Sequence, residues 1–398
     1  MEVKCLDLQA QYARIEKEVQ EAVAQVFREH NFVLGQPVTD FENELARYLG
    51  CPHVVGVASG TDALIVAFMA LGVGPGDAVI TTPYSFFATA SAVSRVGARP
   101  IFLDIDPVTC NLDLGRVEAF LSTCRWSKSR KGKVLKDPTG KLIVKAIEPV
   151  HLYGLACDMT RIDRIAGEYN LAVVEDTAQG IGSNHGGVKV GTWGDFGCFS
   201  FYPTKNLGGC GDGGALATKD EELARQARMI REHGSSPRYI HHTLGMNSRL
   251  DTLQAAVLRV KLKYIEQWND ERRQRAATYG RMMEDAGLVA RTPDQVTAGL
   301  LTLPPLDRGN EHNFHQFVVR STRRDHLART LKAESVGHAV YYPLPLHHQP
   351  VYKKMGFDET GCPNAVEASR QTLALPIYPE LTSAHQEAVV AALSKALL

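Results

Sequence analysis

The chain has 398 residues, of which 44 are Lys or Arg and 44 are Asp or Glu, so its formal net charge at pH 7 is zero. This balance gives no electrostatic reason to expect nucleic acid or a membrane surface as the main partner. Both are negatively charged, and proteins that bind them through charge have a surplus of basic residues. With 44% hydrophobic and 22% charged residues, the composition is that of an ordinary globular protein, large enough for two or three domains.

The N-terminal segment, MEVKCLDLQAQYARIEKEV, is amphipathic and rich in charge. It lacks the apolar stretch of a secretory signal, which predicts a cytoplasmic protein. The longest apolar run, 63–74, is shorter than the roughly 20 residues that cross a bilayer, so no membrane span is predicted. The eight cysteines form no CxxC pair, so neither a metal site nor a disulfide framework is indicated, and we expect reduced core thiols.

From about residue 40 the pattern alternates between helices and short apolar strands. Two helical patterns end at glycines, 41–50 and 61–72. Later apolar runs alternate with helices near 86–96 and 160–168, and they lie at 78–81, 100–105, 142–150 and 171–176. Runs of this length separated by helices predict a mostly parallel sheet with helices on both faces.

The segment 125–145 interrupts this alternation with eight basic residues and a single acid, Asp137. One interpretation is a basic patch for an anionic partner such as a nucleotide diphosphate. The interpretation that we favour is a solvated hairpin that turns at the sequence DPTG, because charge clusters usually mark solvated surface.

A different pattern starts near residue 249. Residues 249–287 predict a long amphipathic helix of the kind that links a large domain to a small one. Apolar runs at 314–320 and 338–343, with a helix near 324–334 between them, suggest a small α+β unit. We therefore predict a large α/β domain over residues 1–260, which includes the N-terminal segment, and a small C-terminal α+β domain over residues 261–398.

Three stretches of the large domain indicate chemistry when they are taken together: 57–64, 173–182 and 197–214. In the first, the turn Ser59-Gly60-Thr61 opens a helix. The N–H groups and the positive dipole end of a helix start bind a phosphate monoester well, although a Ser or Thr cap alone would give the same sequence.

In the second stretch, Asp176 ends an apolar strand, where open parallel sheets bind their ligands. A partly desolvated carboxylate needs a cation such as the protonated nitrogen of a pyridine ring, and a turn-capping Asp is the alternative. In the third stretch, Lys205 precedes a glycine-rich turn and can form an imine with an aldehyde, although it could also be a surface lysine. Together these three features describe a site for pyridoxal 5'-phosphate (PLP).

Five segments carry a resemblance to a known family: SGTDAL, PYSFFATA, EDTAQ, GDFGCFSFYPTKNLGGCGDGG and GMNSRLDTLQAA. They resemble the DegT/DnrJ/EryC1/StrS family of sugar aminotransferases, and the resemblance extends from LDLQAQY to LALPIYPEL. It implies the PLP-dependent transferase fold type I, which is like that of aspartate aminotransferase and has a mostly parallel sheet between helices. It also implies a homodimer with a shared active site, and transfer of an amino group from L-glutamate to a nucleotide-linked keto sugar.

The resemblance implies a role for each residue that matches a family motif. Lys205 would bind PLP covalently and act as the acid/base, while Asp176 would pair with the ring nitrogen. The other cofactor contacts that it implies are Gln179 beside the ring, Phe86 stacked on it, Gly60, Thr61 and Ser200 at the phosphate, and Asn247 at the phosphate of the neighbouring subunit. The residues expected at the sugar are Tyr239, His242, Arg249 and His347.

The acceptor is less defined than the reaction. The segments 238–251 and 340–350 resemble those of members that aminate the 3-keto position of nucleotide-linked hexoses, including 3-oxo uronic acids. A 4-keto sugar aminotransferase, a PLP-fold dehydratase and a regulatory protein without enzymatic activity are the alternatives. Family members that act as dehydratases carry His at the position of Lys205, so the lysine favours transamination. The sequence fixes neither the sugar, the nucleotide nor the pathway.

Overall fold

The structure, a computed structural model, describes residues 1–129, 132–306, 311–357 and 360–397. The helices are α1 (Leu8–Ala13), α2 (Glu16–Glu29), α3 (Gln36–Leu49), α4 (Gly60–Ala70), α5 (Phe87–Arg95), α6 (Leu114–Thr123), α7 (Met159–Tyr169), α8 (Glu221–Ile230), α9 (Thr252–Leu262), α10 (Ile265–Asp285), α11 (Pro293–Ala298), α12 (Arg324–Ala333), α13 (Pro350–Lys354), α14 (Pro363–Gln371) and α15 (Ser383–Leu397). The strands are β1 (His53–Val57), β2 (Asp77–Thr81), β3 (Arg99–Phe102), β4 (Arg125–Ser129), β5 (Gly132–Lys136), β6 (Ile143–Glu148), β7 (Ala172–Asp176), β8 (Asn184–His185), β9 (Val188–Lys189), β10 (Phe196–Ser200), β11 (Gly214–Thr218), β12 (Phe317–Arg320) and β13 (Thr372–Leu375).

A central sheet of nine strands, counted over the described ranges, contains the path β1-β11-β10-β7-β6-β2-β3. Strands β10, β7, β6, β2 and β3 are parallel to one another, which confirms the predicted mostly parallel sheet. Strand β11 is antiparallel to both of its neighbours. The glycine-rich connection from β10 to β11 contains no crossover helix, and strands joined in this way pair antiparallel.

Helices cover both faces of the sheet, as the apolar runs predict. Val173 and Val174 are successive residues of β7 and belong to different cores, because side chains of a strand alternate between its faces. The core on the face of Val174 includes side chains of α4, α5 and α8. The opposite face is covered by α6 and α7 near β6 and by α3 and α9 near β11. The strands are therefore buried on both sides, and ligands reach the sheet at its ends.

The basic segment forms more structure than the single hairpin that the sequence predicts. The turn at DPTG is present between β5 and β6, where the Asp137 carboxylate accepts the N–H groups of Thr139 and Leu142. A second antiparallel hairpin precedes it, made of β4 and β5. Two of the basic residues, Arg130 and Lys131, lie outside the described residues.

The pattern over 249–287 forms two helices, α9 and α10, instead of the single helix that we predict. Neither Gly nor Pro marks the break, so the sequence carries no local signal for it. The Nζ of Lys263 lies 3.1 Å from a carboxylate oxygen of Glu18 in α2, and the Tyr264 hydroxyl donates to the same side chain. Contacts with α2 thus coincide with the end of the first helix.

A separate core forms in the C-terminal part of the chain, between α10, α12, α15 and the β12–β13 pair. Residues 338–343 contribute a single bridge, from Ala339 to Ala374, instead of a strand. Val3 from the N-terminus belongs to this same core. The domain limits of 1–260 and 261–398 stay a prediction.

The cysteines are free, and five of the eight are buried. The expectation of core thiols is wrong for Cys210, which is exposed in the glycine-rich turn. No helix within the described ranges has both the length and the apolar character to span a membrane. The same ranges contain no group of three or more His, Cys, Asp or Glu side chains that could hold a metal ion.

Candidate active site

The carboxyl ends of β7 and β10 and the start of α4 meet at one edge of the sheet. Asp176 ends β7, Ser200 ends β10, and Gly60 begins α4 directly after β1. Lys205 follows β10 in a turn, where its N–H donates to the main-chain oxygen of Tyr202 at 2.8 Å. The residues that the sequence predicts for phosphate, ring nitrogen and imine therefore belong to one edge, because parallel strands end on the same side.

The start of α4 offers N–H groups to an anion. The Ser59 hydroxyl caps the helix and accepts the N–H of Asp62 at 3.1 Å. Since the first N–H groups of a helix have no acceptor within it, those of Gly60 and Thr61 are left for a bound anion. The hydroxyl of Ser248 donates to the Asp62 carboxylate at 2.7 Å, which ties the segment 245–251 to this helix start.

Gly60 and Ser200 lie so close together that only glycine fits. A Cβ added to Gly60 would lie 2.6 Å from the Cβ of Ser200. A Cβ added to Gly214 would lie 2.4 Å from the carbonyl carbon of Ser59. The start of α4 is therefore packed closely against the end of β10 and the start of β11, and only glycine fits at these two contacts.

Asp176 is 5% exposed and holds its carboxylate with two donors. The Thr89 hydroxyl on α5 donates to Oδ2 at 2.7 Å, and the N–H of Ala178 donates to Oδ1 at 3.1 Å. Burial raises the pKa of Asp176, while these two donors and the charge of Lys205 act in the opposite direction. A buried carboxylate of this kind is stabilised by one further cation.

The residue before Asp176 fixes β7 from the opposite face. The Glu175 carboxylate accepts three N–H groups, those of Gly191, Trp193 and Gly194, at 2.7 to 3.0 Å. It also lies 3.0 Å from Nε2 of His151, whose Nδ1 accepts the N–H of Cys157. Nε2 therefore carries the hydrogen and donates to Glu175. These bonds position the end of β7, and our sequence analysis did not identify them.

The amine of Lys205 loses its proton more easily than that of an ordinary lysine. Burial lowers the pKa of Lys205 to about 8, although the negative charge of Asp176 opposes this shift. The neighbouring Asn206 is fixed by Asn269, to which it donates at 2.8 Å, and by His315, whose Nδ1 lies 3.1 Å from the Asn206 Oδ1. Burial and then the charge of Lys205 hold the pKa of His315 well below its usual value, so this ring stays neutral.

Gln179 is fixed from two directions. Its Oε1 accepts the N–H of Tyr153 at 2.5 Å, and its Nε2 donates to the Tyr342 hydroxyl at 3.0 Å. The ring of Tyr342 lies 6.4 Å from the ring of Phe86, centroid to centroid. Phe86 is 59% exposed, which is unusual for a large aromatic side chain and leaves a ring face open to a partner.

The predicted substrate residues differ in their exposure. Tyr239 and His242 are exposed on the loop that follows α8, where Tyr239 is 75% exposed and Nε2 of His242 lies 2.7 Å from the main-chain oxygen of Ser236. Arg249 is partly buried next to Ser248. His347 is 1% exposed, so it presents almost no surface to a substrate, and its assignment to the sugar pocket stays a prediction.

Asn247 is exposed on the segment that leads to α9. No hydrogen bond from its side chain to the start of α4 is found among the residues described for this chain. Its contact with the phosphate of the neighbouring subunit stays a prediction.

Three residues that the sequence analysis does not single out interact with the predicted site residues: Thr89 and Tyr342 form hydrogen bonds with Asp176 and Gln179, and His315 is affected by the charge of Lys205. Thr89 lies three residues after Phe86 in the segment PYSFFATA. Residues at this spacing are neighbours on a helix, and this spacing is the signal that could have identified Thr89. His315 and Tyr342 come from the C-terminal part of the chain, and no local pattern relates them to Lys205 or Gln179.

A family model described as the DegT/DnrJ/EryC1/StrS aminotransferase family matches residues 13–394. A "Pleiotropic regulatory protein" of Geobacillus stearothermophilus is 44% identical over 98% of this chain and 97% of its own. The UDP-N-acetyl-3-dehydro-alpha-D-glucosamine 3-aminotransferase of Acidithiobacillus ferrooxidans is 39% identical over 95% of this chain and 94% of its own. The UDP-2-acetamido-2-deoxy-3-oxo-D-glucuronate aminotransferase of Pseudomonas aeruginosa is 37% identical over 98% and 99%.

Solved structures agree with these relatives. A DegT DnrJ EryC1 StrS aminotransferase from Brucella abortus superposes with a TM-score of 0.89 at 37% identity and covers 99% of both chains. The structure of NtdA from Bacillus subtilis, which has the cofactor PMP bound, superposes with a TM-score of 0.82 at 31% identity over 96% of this chain and 81% of that one.

Proposed function

Because the chain belongs to the DegT/DnrJ/EryC1/StrS aminotransferase family, we propose that it is a PLP-dependent enzyme that moves an amino group from L-glutamate to the 3-keto carbon of a nucleotide-linked sugar. The observation that carries the proposal is the position of the Lys205 amine, with a pKa of about 8, at the sheet edge that also holds the buried Asp176 carboxylate. Both named aminotransferases described above act on 3-keto or 3-oxo sugars linked to UDP, which favours a hexose or uronic acid of this class.

The residues at this edge fit PLP at each of its three polar ends. The N–H groups of Gly60 and Thr61 at the start of α4, with the Ser200 hydroxyl beside them, suit a phosphate. The Asp176 carboxylate accepts from two neutral donors and forms no ion pair within the described ranges, so the ring nitrogen would supply its cationic partner. Lys205 would form the covalent link. When bound, PLP supplies an aldehyde and an electron-withdrawing ring for amino-group transfer.

The side chains around the ring would orient it and keep its nitrogen protonated. Asp176 would hold a proton on the ring nitrogen, and Thr89 would keep the carboxylate in place. Phe86 would cover one ring face, which its exposure permits, and Gln179 would lie near the ring hydroxyl.

Lys205 would act as the acid and base of the reaction. Its neutral amine would accept a proton from the amino-bearing carbon of the donor and return it during transfer to the sugar. A pKa of about 8 leaves part of the amine neutral at physiological pH, whereas an ordinary lysine would be almost fully protonated.

We propose that the enzyme is a homodimer in which Asn247 of one subunit contacts the phosphate of the other. The exposure of Asn247 on the surface of one chain supports a contact with a second copy. The exposed loop with Tyr239 and His242, together with Arg249, would then contribute to the sugar side of the site.

The proposal is tested by replacing the lysine and following the nitrogen. We expect Lys205→Ala to lower amino-sugar formation by roughly 10⁴-fold, because it removes both the covalent link and the acid/base group. Purified enzyme receives L-glutamate carrying isotope-labelled nitrogen and a panel of nucleotide-linked 3-keto and 4-keto sugars, and mass spectrometry identifies the products. Lys219→Ala, which changes an exposed lysine, is the matched control.

Each outcome separates the candidate functions. Label in a product of a 3-keto sugar supports the proposal, and label only in 4-keto products selects the 4-keto aminotransferase. A deoxygenated product without label selects a dehydratase. Full activity of Lys205→Ala would contradict any reaction in which this amine takes part.

We infer a second candidate role for the hairpin of β4 and β5, which is compatible with catalysis. Arg125 lies opposite Lys136, and Lys128 lies opposite Lys133. Like charges that face each other across an antiparallel pair destabilise it. None of these four residues forms an ion pair with any acid in the described ranges. An anionic partner would relieve the repulsion, and the relative named as a pleiotropic regulatory protein is consistent with a role beyond catalysis.

The hairpin role is tested by charge removal. We expect the Lys128→Gln, Lys133→Gln double variant to elute from heparin at lower salt while it keeps transamination activity. The control replaces two other exposed lysines, Lys17 and Lys219, with Gln. Equal retention of the hairpin variant and the control would contradict a specific role of this surface.

A further inference from the structure

One buried carboxyl group near Asp176 has no place in the reaction described above. Glu148 is the last residue of β6 and is 0% exposed. Neither of its carboxyl oxygens has a hydrogen-bond partner among the described residues. The nearby Thr81 hydroxyl donates to the main-chain oxygen of Glu148 at 2.9 Å. Buried carboxyl groups in folded proteins are almost always hydrogen-bonded or paired, so this one requires an explanation.

The pairing of the strands places Glu148 on the same face of the sheet as Asp176. Ala146 of β6 pairs with Ala172 of β7 in parallel register, so the two side chains point to one face. Glu148 lies two residues beyond Ala146, and Asp176 lies four residues beyond Ala172, so both keep that face. Both carboxyl groups therefore lie on the side covered by α4 and α5.

The two carboxyl groups differ in their hydrogen bonds. Asp176 accepts from the Thr89 hydroxyl and the Ala178 N–H, whereas no described group donates to Glu148. Two carboxyl groups in one desolvated region do not both ionise at neutral pH, and the charge goes to the one with donors. Burial, and then the charge of Asp176, raises the pKa of Glu148 well above its usual value. The Thr81 hydroxyl acts in the opposite direction, but its hydrogen bond goes to the main-chain oxygen of Glu148 and not to the carboxyl group. Two further titratable groups respond to Glu148, Cys198 on β10 and Tyr352 on α13, and neither carries a positive charge.

We propose that Glu148 is a positioning residue that remains a neutral carboxylic acid at physiological pH, so that Asp176 alone carries the negative charge of this pair of carboxyl groups. The inference rests on the proposed function, because one charge matches one protonated ring nitrogen. Glu148 touches neither the reacting atoms nor the ring. It acts through Asp176, because a second negative charge on the same face would destabilise the ionised form of Asp176.

The sign of the pH dependence follows from linkage. In the unfolded chain Glu148 ionises near its usual pKa of about 4.3, while in the folded protein it keeps its proton to a higher pH. The stability associated with the protonated side chain is therefore fully present below about pH 4.3 and is lost as pH rises towards the folded pKa. In that window the unfolding equilibrium constant rises by up to about tenfold per pH unit from this group alone.

The test uses Glu148→Gln, which has the same shape and cannot ionise. Infrared spectra of the apo protein at pH 7 should contain a carboxylic-acid C=O band that disappears in Glu148→Gln. Urea unfolding of both proteins from pH 5 to pH 8 should show a ratio of unfolding constants, wild type over variant, that grows by up to about tenfold per pH unit. At pH 7 the visible absorption band of the bound cofactor should not shift, and the rate of transamination should stay within about twofold of wild type.

Three outcomes would overturn the inference: no acid band that Glu148→Gln removes, a ratio of unfolding constants that does not change with pH, or a shifted cofactor band in Glu148→Gln at pH 7. Glu148→Met serves as the second variant if Glu148→Gln does not fold, because it removes the titrating group and keeps similar volume. The infrared and unfolding measurements need no substrate or cofactor, so they remain informative even if transamination fails.

Discussion

At the scale of single residues, the Thr89 hydroxyl is one of two donors that hold the Asp176 carboxylate. Thr89 on α5 donates to the carboxylate at 2.7 Å and is itself 2.9 Å from the Ser85 hydroxyl. A neutral donor to a charged acceptor contributes about 2 kcal/mol when both are buried. The carboxylate is thus held in one orientation before any ligand is bound, which lowers the cost of binding.

We predict that Thr89→Val weakens PLP binding by about tenfold or more, because the isosteric side chain removes the donor and leaves the shape of the site unchanged. Titration of apo protein with PLP, followed by absorbance, measures the dissociation constant. Thr89→Ser keeps a hydroxyl and should bind nearly as well as wild type. Equal binding by Thr89→Val would mean that the hydroxyl does not support the carboxylate.

The lowered pKa of Lys205 predicts a pH profile for covalent uptake of PLP by the apo protein. The reactive form is the neutral amine, and its fraction rises with pH until it levels off above the pKa of about 8. The uptake rate should therefore rise by about tenfold per pH unit below pH 7 and become constant above about pH 9. Stopped-flow absorbance measures this rate, and an inflection near the usual lysine pKa of about 10.4 would contradict a desolvated amine.

At the scale of elements, the phosphate site that we propose depends on the close approach of the start of α4 to the end of β10. The distance of 2.6 Å from an added Cβ on Gly60 to the Cβ of Ser200 shows that any side chain at Gly60 must push the two elements apart. The Ser59 cap fixes the helix end at the same point. The proposed anion binding therefore depends on the separation of α4 and β10, which is small because Gly60 has no side chain.

We predict that Gly60→Ala weakens PLP binding by about tenfold to 100-fold, because displacement of the helix start misplaces its N–H groups. The double variant Gly60→Ala, Ser200→Gly removes the Cβ that the alanine meets and should recover part of the affinity, although it lacks the Ser200 hydroxyl. Ser200→Gly alone is the matched control. If the double variant binds no better than Gly60→Ala, steric contact with Ser200 is not the cause.

At the scale of the whole molecule, the site combines segments from most of the chain. Tyr342 binds Gln179, His315 lies beside Asn206, and Ser248 binds Asp62. The C-terminal core is thereby connected to the sheet edge through hydrogen bonds at the site itself. The exposed segment around Asn247 extends this organisation beyond one chain in the dimer that we propose.

A subunit-mixing experiment tests the shared site. We predict that Asn247→Asp loses about 100-fold in PLP affinity, since a carboxylate beside phosphate is repelled. Lys205→Ala and Asn247→Asp should each be inactive at limiting PLP. Co-expressed with different tags, they should form mixed dimers in which one of two sites has both intact residues, so purified mixed dimers regain about half of wild-type activity. Absence of any recovery in mixed dimers would place Asn247 and Lys205 of one chain in the same site.

The sequence alone determined the features that depend on local patterns. The alternation of apolar runs and helices predicted a mostly parallel sheet, and the structure confirms it, because burial on both faces leaves a pattern that can be read along the chain. Motifs that end strands or open helices identified Asp176, Gly60 and Lys205 at one edge, since the carboxyl ends of parallel strands must meet there. The family and the transamination chemistry also follow from these motifs.

Only the tertiary structure decided what lies around these residues. The break between α9 and α10, the second basic hairpin, the contacts of Thr89 and Tyr342, and the burial of His347 depend on packing between segments distant in sequence. The pKa of Lys205 and the orphaned carboxyl of Glu148 likewise arise from desolvation, which no local pattern encodes. Hydrogen bonds and the local dielectric depend on residues that are close in space but distant in sequence. The sequence therefore identifies the reactive groups, and the fold sets their reactivity.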